Sequence, residues 1–221
     1  MTLLRRVLAE TLGSLLLAAT VVGSGIMAER LAQGNQAVAL LANTGATVAV
    51  LAVLIALLAP VSGAHFNPAV TLIMTLRQQL TVLQAALYVA GQGVGCCLGT
   101  MLAHGMFELP LLQSGSHART GPGQWLAEFV ATAGLILVIL GVRRSQDAPW
   151  MVAGWIGAAY WFTASTSFAN PAISIARSLT DTFAGVRPVD VPAFIAAELL
   201  GAIAALIAAR YLFLTEGIRD K

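Results

Sequence analysis

The chain has 221 residues, of which 58% are hydrophobic and only 10% are charged, and its formal net charge is +2. Soluble domains carry roughly 25% charged residues, so this composition excludes a protein whose whole surface faces water. The small net charge argues against nucleic-acid binding and fits basic loop residues that orient a membrane protein. A spanning helix needs about 20 apolar residues, so the chain has room for about six spans in one membrane domain.

Six long apolar stretches predict membrane spans, and two shorter segments between them are predicted to be re-entrant because they cannot cross the bilayer. In chain order the spans cover about 4–25, 36–59, 81–104, 124–142, 149–169 and 191–214, and the half-helices about 67–77 and 170–180. The first stretch follows Met1–Arg6 without a small-residue cleavage site, so we interpret it as a retained span. Cys96 and Cys97 in the third span are interpreted as small packing residues, with a redox pair or metal site as the alternative.

Both half-helices begin with the same motif, Asn67-Pro68-Ala69 in the first and Asn170-Pro171-Ala172 in the second. Asn is a strong N-cap, and Pro suits the first helical position because its missing N–H would be unpaired there anyway. Capping through the side-chain oxygen should leave the two Asn amide groups free to face a lumen. One such motif is common, but two copies in matching re-entrant positions are specific.

The chain also repeats itself around these motifs. Glu10 in the first span corresponds to Glu128 in the fourth, and Gln92 in the third to Glu198 in the sixth. Each half has three spans, an odd number, so the second half must be inverted in the membrane. We expect one channel domain over 1–221, made of a first repeat (1–104), an outer connecting loop (105–123) and a second repeat (124–221). Inverted repeats place a solute site at mid-depth, where two positive helix ends oppose cations.

The basic residues indicate the orientation, because cytoplasmic loops carry more Lys and Arg. With a cytoplasmic N-terminus, eight basic residues lie inside and four outside. The inner set is Arg5, Arg6, Arg77, Arg143, Arg144, Arg210, Arg219 and Lys221, and the outer set is Arg30, Arg119, Arg177 and Arg187. Both termini are therefore expected in the cytoplasm.

The run Ser62-Gly63-Ala64-His65-Phe66-Asn67-Pro68-Ala69-Val70-Thr71, with the two glutamates and the Gly-rich third and sixth spans, resembles the aquaporin (major intrinsic protein) family over essentially the whole chain. The resemblance implies an all-α membrane fold of six transmembrane helices plus two re-entrant half-helices. It also implies a homotetramer in lipid, with one pore per subunit, that passes solutes passively. The sequence shows no paired carboxylates, metal cluster or nucleophile–base spacing, so we expect no enzyme, no cofactor and no metal.

The family resemblance assigns supporting roles to three residues. Glu10 and Glu128 are expected to accept hydrogen bonds from the re-entrant backbone, because a carboxylate within a membrane must be buried against donors. A protonated packing glutamate is the alternative. His65 is expected to hold the first re-entrant loop, with gating or proton sensing as the alternative.

Four positions usually form the outer constriction of the family, and spacing from the two Asn residues places them at Thr47, Ala158, Ser167 and Ile173. A water-selective member is expected to carry an aromatic residue, a His, a small residue and an Arg there. The bulky and charged groups of that set are missing here, which predicts a wide, neutral filter with hydroxyl groups on Thr47 and Ser167. Arg177 lies one turn after Ile173 and could place its charge in the outer vestibule; a local ion pair with Asp181 is the alternative.

The run from Ser178 to Pro188, with the missing filter arginine, resembles a bacterial branch associated with arsenic resistance. We therefore expect a channel of the bacterial inner membrane for small neutral solutes such as arsenite or methylated arsenicals, and also for water. A glycerol or urea facilitator and a plain water channel are the alternatives within transport. A structural or adhesive membrane protein of the same fold is the alternative from another class.

Overall fold

The computed structural model describes residues 1–213, and these residues form eight α-helices without a β-strand. The helices are α1 (Leu3–Leu31), α2 (Gln36–Ser62), α3 (Pro68–Leu76), α4 (Val82–Met106), α5 (Pro122–Gly141), α6 (Ala148–Phe162), α7 (Pro171–Arg177) and α8 (Val191–Phe213). Arg219, Lys221 and the last residue of the predicted sixth span, 214, lie outside the described residues. The all-α membrane fold predicted from the sequence is confirmed.

Five of the described helices, α1, α2, α4, α5 and α8, are long and apolar enough to cross a membrane. The short helices α3 and α7 lie where the half-helices were predicted. They have 9 and 7 residues. At 1.5 Å per residue neither reaches halfway across a hydrocarbon core of about 30 Å.

The predicted fifth span, 149–169, is wrong at its second end, because α6 stops at Phe162 after 15 residues. The following Ser/Thr-rich run satisfies the backbone through its own side chains. Thr163 Oγ1 donates to the Ala159 carbonyl at 2.7 Å, and Ser165 Oγ accepts from Ser167 N at 3.2 Å. Such local hydrogen bonds compete with helix continuation. The chain can therefore leave the helix inside the membrane and form the approach to α7.

Two other predicted limits also differ. Helix α1 continues to Leu31, beyond the predicted end at 25, and α7 ends at Arg177, short of the predicted 180. The extension of α1 carries Ala28 into the packed interior, and Arg30 donates to the Phe107 carbonyl at 3.4 Å. Tertiary contacts thus stabilise a last turn that hydropathy alone does not mark.

The two halves pack in the same pattern. Helix α1 packs on α4 and α2, α5 packs on α8 and α6, and α2 meets α6 between the halves. Gly95 on α4 faces the Thr11 carbonyl of α1, and Gly201 on α8 faces the Phe129 carbonyl of α5, each so closely that a methyl group would overlap with it. Small residues at such crossings allow membrane helices to approach closely.

The connecting loop between α4 and α5 lies across the segment that follows α7. Gly115 N donates to the Ser178 carbonyl at 2.9 Å, and Arg187 N donates to the His117 carbonyl at 2.9 Å. His104, buried near the end of α4, has Nε2 2.7 Å from Thr180 Oγ1. These contacts fix the loop over one mouth of the helix bundle.

Candidate functional site: a cavity between two half-helices

Each half-helix begins at a capped asparagine. Asn67 Oδ1 accepts a hydrogen bond from Ala69 N at 2.9 Å, and Asn170 Oδ1 accepts one from Ala172 N at 3.0 Å. A proline follows each Asn at the first helical position. The two starts have the same geometry because the motif carries its own cap and its own preset backbone angle.

The two asparagines also bind the opposite half. Asn67 Nδ2 donates to the Ala169 carbonyl at 2.7 Å, and Asn170 Nδ2 donates to the Phe66 carbonyl at 2.8 Å. The expectation that the amides are wholly free to face a lumen is therefore wrong. Each amide has two N–H groups. One fastens the half-helices together, and the other is left for the cavity that both residues border.

The residue before each asparagine has an uncommon backbone conformation. Phe66 has φ 49° and Ala169 has φ 48°, and two residues earlier in each loop Ala64 has φ 50° and Ser167 has φ 52°. These left-handed positions cost about 1–2 kcal/mol each for residues with a side chain. The strain turns the Phe66 and Ala169 carbonyls toward the opposite asparagine, and it persists because surrounding contacts fix the loops.

The two glutamates supply those contacts. Glu10 and Glu128 are fully buried, and each oxygen of each carboxylate accepts a backbone N–H from the neighbouring re-entrant loop. The donors are His65 (3.0 Å) and Phe66 (2.7 Å) for Glu10, and Phe168 (2.9 Å) and Ala169 (2.7 Å) for Glu128. Four accepted N–H bonds fit ionised carboxylates better than protonated packing groups.

His65 connects the first loop to its own half-helix. Its Nδ1 lies 3.1 Å from Thr71 Oγ1, and its ring packs edge-on against Tyr88 with centroids 5.5 Å apart. The ring also borders the central cavity. These contacts agree with a role in holding the loop; a gating role stays a prediction.

A cavity of about 460 Å³ runs between the half-helices and along α2, α5 and α6. Both asparagines border it at its middle. The side chains that matter most for its chemistry are Thr47, His65, Asn67, Tyr160, Ser167, Phe168, Asn170, Ile173 and Arg177. Most of the remaining wall is aliphatic, so the arrangement can pass a small solute along an apolar wall with a few hydrogen-bonding points.

Three of the four expected filter residues, Thr47, Ser167 and Ile173, border this cavity. The expectation for Ala158 is wrong, because Ala158 is exposed on the outside of α6 and does not line the cavity. Its place is taken by Tyr160, whose hydroxyl lies 3.3 Å from Thr47 Oγ1. The cavity therefore has an aromatic wall that spacing did not predict. Val152, Ile156 and Tyr160 are spaced by four residues and so share one face of α6. This spacing is the sequence feature that indicates Tyr160 as a wall residue.

Arg177 is buried at the end of the cavity nearest the connecting loop. Its guanidinium carbon lies 3.4 Å from the Phe168 ring centroid, and its Nε donates to the Ala184 carbonyl. The alternative ion pair with Asp181 is wrong. Asp181 is exposed and accepts from Ser116 Oγ at 2.7 Å and Ser116 N at 2.9 Å, and these bonds lower the pKa of its carboxyl.

A second arginine, Arg119 of the connecting loop, also lies beside Phe168, with its guanidinium carbon 5.4 Å from the ring centroid. It donates to three backbone carbonyls, those of Gly185 (2.9 Å), Ser165 (3.3 Å) and Phe183 (3.4 Å). Within residues 1–213, neither Arg119 nor Arg177 forms an ion pair. We call Arg119, Phe168 and Arg177 the arginine cluster. Sequence reasoning missed Arg119, because a lone arginine in a Gly-rich loop carries no signal of its partners.

The two cysteines lie away from this cavity. Cys96 is buried with its Sγ 3.6 Å from the Ser14 carbonyl, and neither thiol forms a disulfide. Among the described residues there is no group of three His, Cys, Asp or Glu that could hold a metal ion. The contacts of Cys96 support its interpretation as a packing residue between α4 and α1.

The comparisons with known proteins agree with this geometry. Residues 1–154 match the family model of the major intrinsic proteins. Aquaglyceroporin AqpS of Rhizobium meliloti (strain 1021) is 56% identical over 212 residues, which cover 95% of this chain and 91% of the relative. A probable aquaporin AqpM of Archaeoglobus fulgidus is 28% identical over 241 residues, with 96% of this chain and 98% of the relative covered.

A solved structure shares the fold. The crystal structure of the aquaglyceroporin from Plasmodium falciparum superposes with a TM-score of 0.72 at 17% identity and covers 97% of this chain and 98% of its own. At 17% identity this match supports the shared fold alone. With the family match over more than half of the chain, it leaves one conclusion: the chain belongs to the major intrinsic protein family and is a multi-pass membrane channel for small solutes, not an enzyme.

Proposed function

We propose that this channel passes small uncharged solutes larger than water through a filter without arginine, and that metalloid acids such as arsenite or methylated arsenicals are among them, together with water. The observation that carries the proposal is Ile173, an aliphatic residue that borders the cavity directly after the second Asn-Pro-Ala motif. A charged group there would narrow the cavity and order water around itself. Because Ile173 and Thr47 both border the cavity, a solute there meets an aliphatic surface and a hydroxyl group.

The cavity is less open than a filter without bulky groups would be. Tyr160 stands where a small residue was expected, and its hydroxyl lies near Thr47. The pairing of a phenol with aliphatic residues also suits glycerol or urea. The relative from Rhizobium meliloti is described as an aquaglyceroporin, which favours glycerol as the second candidate solute.

Arg177 supports the exclusion of cations in this proposal. It borders the cavity, and the only hydrogen bond of its side chain among the described residues goes from Nε to the Ala184 carbonyl. Its charge therefore lies at the cavity without an ion pair to a carboxylate within residues 1–213. It would supplement the two half-helix ends, which contribute about half an elementary charge each.

The proposal includes the arrangement of the whole chain. Residues 1–104 and 124–221 are taken as inverted repeats joined by an outer loop at 105–123, with both termini in the cytoplasm of a bacterial inner membrane. The equivalent hydrogen bonds of Glu10 and Glu128 support the repeat. Four copies, each with its own cavity, are taken as the working assembly.

Flux measurements on purified protein in liposomes test the filter. Water, glycerol and arsenite fluxes are compared for the wild type, Ile173→Arg and the matched control Ile173→Val. We expect the arginine to reduce glycerol and arsenite flux strongly while water flux persists, and the valine to behave as the wild type. The proposal fails if the arginine variant passes arsenite as fast as the wild type.

The same measurements separate the channel from a structural protein of this fold. A wild type that folds in liposomes and passes none of the three solutes would favour the structural alternative. Glycerol flux without arsenite flux would favour the glycerol facilitator.

A further inference from the structure

The two re-entrant loops are supported by equivalent carboxylates, but the groups behind these carboxylates differ. In the first half Gln92 Nε2 donates to Glu10 Oε2 at 2.8 Å. In the second half the equivalent position, on α8, is Glu198, which accepts from Asn170 N directly beside Ala169 N, the donor to Glu128. A hydrogen-bond donor of the first half is thus replaced by a group that donates only when it carries a proton.

The contacts of Glu198 leave one of its oxygens without a donor. Its Oε1 accepts from Ser174 Oγ at 2.7 Å and from Asn170 N at 3.1 Å. Its Oε2 is buried and meets no donor in the part of the chain that the structure describes. A buried ionised carboxylate needs donors on both oxygens, and a second carboxylate beside it raises the cost further.

The charged groups around Glu198 do not supply that donor. Helix α8 packs on α5, α3 and α7 and on the turn Pro188–Asp190 that precedes it, whose Asp190 already accepts from Arg119 N and Arg187 Nε. Helix α5 contributes Glu128, α3 has no charged or titratable residue, and α7 contributes Arg177. Neither Arg177 nor Arg119 of the connecting loop donates a hydrogen bond to Glu198 or Glu128, because their guanidinium groups donate to backbone carbonyls.

We propose that Glu198 is protonated in the folded channel and donates a hydrogen bond to Glu128, as the Gln92 amide does to Glu10. Glu198 is then a positioning residue. It orients the ionised Glu128 so that both of its oxygens receive the N–H groups of Phe168 and Ala169. It also accepts the backbone N–H of Asn170 itself. One neutral side chain thereby supports the second half-helix start without adding negative charge behind it.

Infrared spectroscopy of purified protein at neutral pH tests the proposal directly. A buried protonated carboxylic acid has a carbonyl stretch well separated from those of carboxylates and amides. We expect this band in the wild type and its loss in Glu198→Gln. Equal spectra of the two proteins in this region would overturn the proposal.

Two further variants distinguish positioning from simple packing. Glu198→Gln keeps the shape of the side chain and a hydrogen-bond donor, so its solute flux and thermal midpoint should equal those of the wild type. Glu198→Ala removes the donor, so its solute flux and thermal midpoint should both fall. Gln92→Glu should add a second carboxylic-acid band, because it builds the same pair beside Glu10. A glutamine variant that fails to fold, or that loses flux as the alanine variant does, contradicts the proposal. The infrared band does not depend on the solute. The band can therefore be absent while the channel passes the proposed solutes, and it can be present while the channel does not pass them.

Discussion

Two arginines, Arg119 and Arg177, carry the positive charge near the end of the cavity that lies by the connecting loop. Neither occupies one of the four expected filter positions. The arginine cluster places two guanidinium groups beside one phenyl ring, and both donate only to backbone carbonyls. Cation–π contacts with a buried ring can be worth about 2 kcal/mol when water is excluded. The ring thus stabilises positive charge that forms no ion pair within residues 1–213.

Replacement of Arg177 tests its part in selectivity. Arg177→Ala should let cations leak through the channel and shift its preference among neutral solutes, because the charge that borders the entrance is removed. The control is Arg5→Ala, which removes an exposed arginine that does not line the cavity. Ion conductance and solute flux in liposomes measure the effect. Unchanged values for Arg177→Ala, at normal protein yield, would contradict this role.

Replacement of Tyr160 tests the wall that the structure adds to the filter. Tyr160→Ala should raise glycerol flux relative to water flux, because it removes a ring that narrows the cavity beside Thr47. Tyr160→Phe keeps the ring and should change the ratio far less. The measurement is the ratio of glycerol flux to water flux. An alanine variant with the wild-type ratio would contradict the assignment of Tyr160 to the filter.

The sequence predicts a site residue well where its geometry is local. The Asn-Pro-Ala starts could be predicted because cap and helix lie within three residues. Ala158 was misplaced because counting back from Asn170 assumes a fixed path, and the left-handed turns at Thr166 and Ser167 change that path. The partners of Arg119 could not be predicted, since they are carbonyls distant along the chain.

At the scale of helices, close crossings decide whether the two halves can form. Gly95 lets α4 touch the α1 backbone at Thr11. Gly95→Leu should therefore lower the thermal midpoint of the detergent-solubilised protein, since overpacking costs typically 1–3 kcal/mol. Gly93→Leu on the same helix is the control, because a side chain there meets open space. Equal midpoints for both variants would argue against the crossing as a stability determinant.

Hydropathy predicts that the long helices exist, but it does not predict the residues at which they end. The run after Phe162 stays apolar enough to extend a predicted span to 169, yet its Ser and Thr side chains end the helix. In α1 the reverse occurs, because packing of Ala28 continues a helix beyond its most apolar part. Ends are set by capping and contacts, which a hydropathy window does not contain.

For the molecule as a whole, the outer surface of the helices has to meet lipid or further copies. Leu8 and Leu12 of α1 and Leu57 of α2 are among many exposed apolar side chains. We expect mild detergent to release a particle of about four chains of 22.9 kDa each, measured by light scattering with the detergent mass subtracted. A particle with the mass of one chain, confirmed by cross-linking in native membranes, would contradict a tetramer.

The paired bonds from Asn67 to the Ala169 carbonyl and from Asn170 to the Phe66 carbonyl set an order for biosynthesis. Asn67 leaves the ribosome about a hundred residues before its acceptor, so during insertion its amide and the Phe66 carbonyl lie in the membrane without these partners. Such groups cost free energy in lipid. Until the second re-entrant loop is made, these groups of the first half therefore need other hydrogen-bond partners, such as water. The bonds that join the two half-helix starts can form only after both re-entrant loops have been made.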